Sequence, residues 1–182
     1  GVVGLPGLGG AMRGAGVRVR RFRREGKGAA LGGGGTGQES LRFQQAFSSP
    51  GVVTAWVALA PKDIELSDEK VVEYFAEIDP SPAVREAWSQ LKGQQKWKES
   101  YTKFAKTWVV IGDAKADPAA QLPVGMDFEI VPQADPGALR VGQPATFKWL
   151  AHGQPLAHAS IGLLAAGAGR VFQTTDAEGR AT

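Results

Sequence analysis

The sequence predicts a mainly β chain with a helical insert, folded as two small antiparallel β-sandwich-like domains, both incomplete. Three observations predict it. Apolar and polar residues alternate with period two in "VVTAWVALA", "MDFEIVP" and "ATFKWLA", the pattern of strands. Turns containing Gly or Pro separate such runs at short intervals through the last third, as in an antiparallel sandwich. Between the β-rich stretches the apolar residues switch to helical spacing.

In chain order, residues 1–16 are Gly-rich, lack a period and are read as a disordered start. A partial N-terminal β domain follows over 17–66. Its strands are "VRVRRF" (17–22), "LRFQQAF" (41–47) and "VVTAWVALA" (52–60), with "KGAALGGGGTGQ" as a loop and "SSPG" as a turn. The third strand is apolar on both faces, as a central sandwich strand would be. Residues 67–98 form the helical segment. Ser67 caps its first helix ahead of Asp68 and Glu69, whose charges suit the positive end of the dipole, and Val71, Tyr74, Phe75 and Ile78 share a face. Asp79–Pro80 ends that helix, because the residue before proline is pushed out of the α region. Ser81–Pro82 starts a second, with Val84, Ala87, Trp88 and Leu91 as its stripe and Gly93 as its stop.

Residues 99–113 read as a strand returning to the N-terminal domain, and 114–123 as a linker. The C-terminal β domain, 124–182, is expected to be Ig-like or transthyretin-like, with Phe128, Phe147, Trp149 and Ile161 in its core. Within it "HGQPL" is a tight turn, "AHASIGLLA" pairs back, and "VFQTT" adds a strand before the "DAEG" turn. Asp176 and Gly179 suit that turn, Asp through a side-chain–backbone bond and Gly through positive φ. Because a strand begins at the last residues, the chain is expected to be a fragment cut at both ends.

Composition narrows the function. The chain contains no Cys, which excludes disulfides, thiolate chemistry and Cys-ligated zinc. No apolar run approaches the ~18–20 residues of a membrane span. The net charge of +3 is uneven, with "RVRRFRREGK" (Arg18–Lys27) strongly basic. Without a recognition fold or interleaved aromatics, that run reads as the solvated face of a strand edge, and no nucleic-acid partner is expected. "GLPGLGGAMRG" places Met12 where the third Gly of a dinucleotide loop belongs, so it carries no nucleotide site. Ser48 and Ser49 lie in a turn and not in a nucleophile elbow. No catalytic residues are assigned. The five scattered Trp read as core anchors.

Two constellations stand as candidates. His152 and His158, the only histidines, flank the "GQPL" turn, and a hairpin could bring them opposite each other as ligands for nickel, cobalt or zinc. The competing reading is two exposed turn residues. Asp127 and Glu129 form a D-x-E on a strand, with both carboxylates on one face at about the spacing used by glycosidases. The competing reading is an ordinary half-solvated strand.

The ordered segments "GVVTAWVALAPKDIEL", "EYFAEI", "YTKFAKTWVVIGD", "VGMDFEIVPQADP", "LRVGQPATFKWLAHGQPLAHASI" and "TTDAEGR" resemble the bacterial envelope family called domain of unknown function 4198, from about Val17 to the end. The C-terminal part also resembles transthyretin-like and Ig-like modules. The resemblance implies a periplasmic or secreted protein. It implies non-enzymatic binding or accessory work, linked in some members to nickel or cobalt uptake, with a metal-transport or other envelope protein as partner. A nickel or cobalt ion is the only cofactor it suggests. The alternatives it leaves are a carbohydrate-active enzyme using Asp127 and Glu129, or an adhesion-like structural β module.

Overall fold

A computed structural model describes residues 50–113, 117–164, 167 and 169–182 in full and, among the first 49 residues, the backbone of five strands. These are β1 (Val2–Pro6), β2 (Arg18–Phe22), β3 (Gly28–Ala30), β4 (Gly34–Thr36) and β5 (Ser40–Gln44). The start read as disordered therefore contributes a strand, because β1 finds a partner in β5. Residues 7–17 and 45–49, including Met12, Ser48 and Ser49, lie outside the described residues. The Gly-rich loop likewise supplies two three-residue strands, β3 and β4. Their sequences, "GAA" and "GGT", carry little period, so only pairing with β2 and β5 defines them.

Next come β6 (Gly51–Ala58), β7 (Lys62–Leu66), α1 (Asp68–Ile78), α2 (Pro82–Leu91), β8 (Trp97–Tyr101) and β9 (Phe104–Ile111). The order β3-β2-β6-β9 forms a four-stranded sheet, and β1-β5-β4 forms a second of three strands. In the first, β2 lies between β3 and β6, so the basic run opens inside the sheet and not at its edge. β6 is buried from Val53 to Val57, on both faces, as its uniformly apolar sequence requires. The single returning strand is two: β8 pairs with β7, and β9 pairs along all of β6. Trp97 and Lys98 thus belong to a strand and not to the helical segment.

The helices form where their caps predict, although Ser67 at the N-cap position of α1 makes no side-chain cap bond. Ser81 Oγ accepts from the Val84 N–H at 3.4 Å, and Pro82 opens α2. Asp79 adopts left-handed φ 46°, its N–H donates to Phe75 O, and Pro80 follows. Both helices, which connect β7 to β8 in the chain, cover the antiparallel β7–β8 pair. Val71, Phe75 and Trp88 are buried there, with Leu66, Tyr74 and Trp97 against them. The Trp97 ring meets Phe75, Trp88 and Tyr74 edge-on at 5.1, 5.5 and 6.4 Å, the favoured arrangement for aromatic quadrupoles.

After a 3-10 turn at Pro118–Gln121 come β10 (Phe128–Pro132), a second 3-10 turn at Pro136–Ala138, β11 (Phe147–Ala151), β12 (Gln154–Pro155), β13 (Ser160–Leu163), β14 (Val171–Thr174) and β15 (Arg180–Ala181). The central strand β11 pairs with β10 on one side and with both β12 and β15 on the other. "AHASIGLLA" does not pair back onto β11. Only Gln154 and Pro155 do so, whereas β13 pairs with β14 in a separate hairpin. The buried face of β10 is also the reverse of the expected one. Glu129 and Val131 are buried, while Phe128 is 47% exposed, and Phe147, Trp149 and Ile161 are only half-buried. Alternation sets the period of a strand but not which of its faces meets a partner. The "DAEG" turn forms as read. Asp176 Oδ1 accepts from the N–H groups of Glu178 and Arg180. Gly179 has φ 75°, and a Cβ there would sit 2.6 Å from Trp149 O, so the close approach of this turn to β11 admits only glycine.

Candidate functional site

The site lies at the seam between β9 and the C-terminal unit. Alternation along β9 aims Phe104, Lys106, Trp108 and Val110 toward that unit. The Phe104 ring is 5.8 Å from Phe128, and the Trp108 ring is 6.4 Å from Phe147. Trp108 Nε1 also donates to Ala120 O at 3.1 Å, pinning the first 3-10 turn. Between these rings Lys106 Nζ donates to Glu129 Oε1 at 2.5 Å, and the two side chains are only 2% and 1% exposed. Lys106 also sits 5.5 Å from the Trp108 ring, a cation–π contact.

Glu129 gathers more than Lys106. Its Oε1 accepts from the Val124 N–H at 2.6 Å, and its Oε2 from the N–H groups of Gly125 and Met126 at 2.9 and 3.2 Å. Four donors therefore fill the roughly four lone-pair positions of one carboxylate. The result ties three things at one point: a strand of the N-terminal sheet, the segment leading into β10, and β10 itself. Burial pushes the Lys106 ammonium below its ordinary 10.5, against the opposing pull of Glu129. Beside the pair runs an apolar cleft of about 220 Å³, walled by Phe104, Met126, Phe128, Ile130, Trp149 and Leu156.

Asp127 and Glu129 do not act together. Asp127 precedes the start of β10, so strand alternation does not govern its side chain, which is 70% exposed. Glu129 lines the cleft and Asp127 does not. Asp127 is instead next to His152: its carbonyl accepts from the His152 N–H at 2.6 Å, and its Oδ1 lies 3.7 Å from His152 Nδ1.

His152 sits in the β11–β12 turn, and His158 lies three residues beyond the end of β12, each with positive φ. The hairpin register pairs Ala151 with Gln154, so it does not place the two imidazoles opposite each other. The backbone of His158 is held by Thr175, whose carbonyl accepts its N–H at 3.1 Å. Thr175, 1% exposed, also donates to Leu156 O and accepts from the Ala159 N–H through its hydroxyl. Among the described residues no group of three His, Asp or Glu side chains is placed to hold a metal ion.

Sequence reasoning passes over Lys106 and Thr175. The signal for Lys106 is present: a single cation between Phe104 and Trp108 on one strand face, matched by the one carboxylate of β10, "FEIVP".

The family described as Domain of unknown function (DUF4198) matches residues 12–182. The chain belongs to this family. No curated protein and no solved structure matches it. The DUF4198 match runs across both β-rich units and the helices between them, so it includes both sides of the seam. No helix among the described residues of this DUF4198 chain is long and apolar enough to cross a membrane.

Proposed function

We propose that this chain is a non-enzymatic binding or accessory module of the bacterial periplasm, serving nickel or cobalt uptake alongside an envelope transport protein. One observation carries the non-enzymatic part: the only charged groups among the described residues that line the seam cleft, Lys106 and Glu129, are spent on each other and on three backbone N–H groups. A buried carboxylate with every lone pair engaged is poorly placed to take or give a proton in catalysis. The cleft then offers apolar contact and shape. The same observation weighs against a carbohydrate-active enzyme, which would need Asp127 and Glu129 working across one substrate. The periplasmic address and the metal link rest on the family resemblance. Among the described residues His152 and Asp127 supply two neighbouring donors, too few for a site, which favours a metal handled together with a partner.

The test is nickel-63 uptake in cells lacking the gene. Uptake should fall, and both the wild type and a His152→Ala/His158→Ala variant should restore it. Calorimetric titration of nickel or cobalt into the purified protein should be flat. Unchanged uptake in the deletion strain, or hydrolysis of a glycan that Glu129→Gln abolishes, would overturn the proposal.

A further inference from the structure

A second cavity, of about 640 Å³, opens where α1, the β8–β9 turn and the β13–β14 hairpin meet. It is remote from the seam pair in its lining and falls in the size range of small-molecule sites. Its walls are of two kinds. Ile64, Ile78, Tyr101 and Leu164 are apolar, and Ile78 and Leu164 are 39% and 62% exposed, so an occupant would remove apolar surface from water. Two cations, Lys103 and Arg170, face one carboxylate, Glu77.

The two cations are not equivalent. Arg170 is committed to α1: its Nη1 donates to Glu77 O at 2.8 Å and its Nη2 lies 3.8 Å from Glu77 Oε1. Gly162 makes room for that reach, since a Cβ there would stand 3.0 Å from Arg170 Cδ. Arg170 thereby largely offsets Glu77. The Tyr74 hydroxyl is also committed, donating to Glu99. Lys103 has no carboxylate within salt-bridge distance among the described residues. Its ammonium stands 5.5 Å over the Tyr101 ring, while its carbonyl accepts from the Leu59 N–H at 2.9 Å and fixes the turn. The cavity thus has an apolar wall, an aromatic floor and one positioned cation, Lys103, that no carboxylate among the described residues pairs with.

We infer that this cavity binds an amphipathic carboxylate, with the acid group on Lys103 and the hydrocarbon part against Ile78, Tyr101 and Leu164. A carboxylate carries the single negative charge that one ammonium beside an already paired Arg–Glu couple can balance. The inference is independent of nickel uptake and of the seam cleft.

Calorimetry with octanoate tests it on the intact protein, with octanol and octylamine as the neutral and cationic probes. Octanoate should bind, and octanol should bind about tenfold more weakly or not at all, since it keeps the chain and loses the ion pair. Lys103→Ala should weaken octanoate about tenfold, and Lys103→Arg should retain it within about threefold. Because Lys103 and Leu164 are exposed, these variants should fold normally, and Leu164→Asp should lose octanoate as well. Overturning results are no octanoate binding by the wild type, octanol or octylamine binding as tightly as octanoate, or a Lys103→Ala variant that binds unchanged.

Discussion

The helical cap and the seam are both places where distant parts of the chain are held together by buried side chains, and they do so by opposite physics. In the cap, α1 and α2 close on the antiparallel β7–β8 pair through an aromatic cluster centred on Trp97. Its stabilisation is apolar burial plus edge-to-face ring contacts, non-directional and tolerant of small shifts. At the seam, β9 meets β10 through one ion pair and three N–H donors converging on Glu129. That arrangement is directional: it holds only if each donor is in place, and losing one partner strands a buried charge. The cap is therefore a matter of filling space, and the seam a matter of satisfying groups.

A large expected effect breaks the apolar side of this comparison. Trp97→Ala removes the half-buried ring that Tyr74, Phe75 and Trp88 all touch and uncovers the buried Phe75 and Trp88, and should cost about 3–5 kcal/mol, the range for Trp→Ala in a packed cluster. Chemical denaturation followed by circular dichroism measures it. A cost below about 1 kcal/mol, in the range of surface substitutions, would show that the cap does not depend on its central ring.

A smaller effect separates the two regions by their response to alkali. Burial, reinforced by the bond to Glu99, pushes the Tyr74 phenol well above its ordinary 10.0. The folded state then favours the neutral phenol, so this contribution is full below pH ~10 and is lost as pH rises through the folded value. Lys106 moves the other way. With its folded pKa below 10.5, the unfolded chain holds more protons than the folded one in the window between that lowered value and 10.5, and stability rises with pH there. Urea midpoints taken from about pH 8 to 11 should show Tyr74→Phe removing an alkaline loss and Lys106→Met removing an alkaline gain. Shifts of the same sign in both variants would contradict the contrast.

The cap was legible in the sequence and the seam was not, for physical reasons. The stripes Val71–Phe75 and Val84–Trp88 follow helical period, and Ser81, Pro82 and Asp79–Pro80 punctuate them with local chemistry. All of that is encoded within a few residues. Trp97 was harder: it opens β8, and only pairing with Leu66 makes it a strand residue. At the seam the period of "MDFEIVP" was readable, yet its inward face was not. Apolar Phe128 would ordinarily outrank Glu129 for burial. Glu129 goes inside because Lys106, 23 residues earlier on another strand, is there to neutralise it. The Gly-rich strands β3 and β4 have the same difficulty, because their partners define them. For the candidate site, Glu129 was visible as half of a carboxylate pair, whereas its real companion was a lysine on a different element.

The central claim is that Lys106 and Glu129 act as one unit joining β9 to the C-terminal β unit. A double-mutant cycle with Lys106→Met, Glu129→Gln and the combined variant, read by urea denaturation, tests it most directly. Each single change should cost about 3–5 kcal/mol, the range for breaking a buried pair. The combined variant, which buries no charge at this point, should be more stable than the sum of the single costs allows by roughly 2 kcal/mol or more. Single costs that simply add, with no coupling between the two positions, would contradict it.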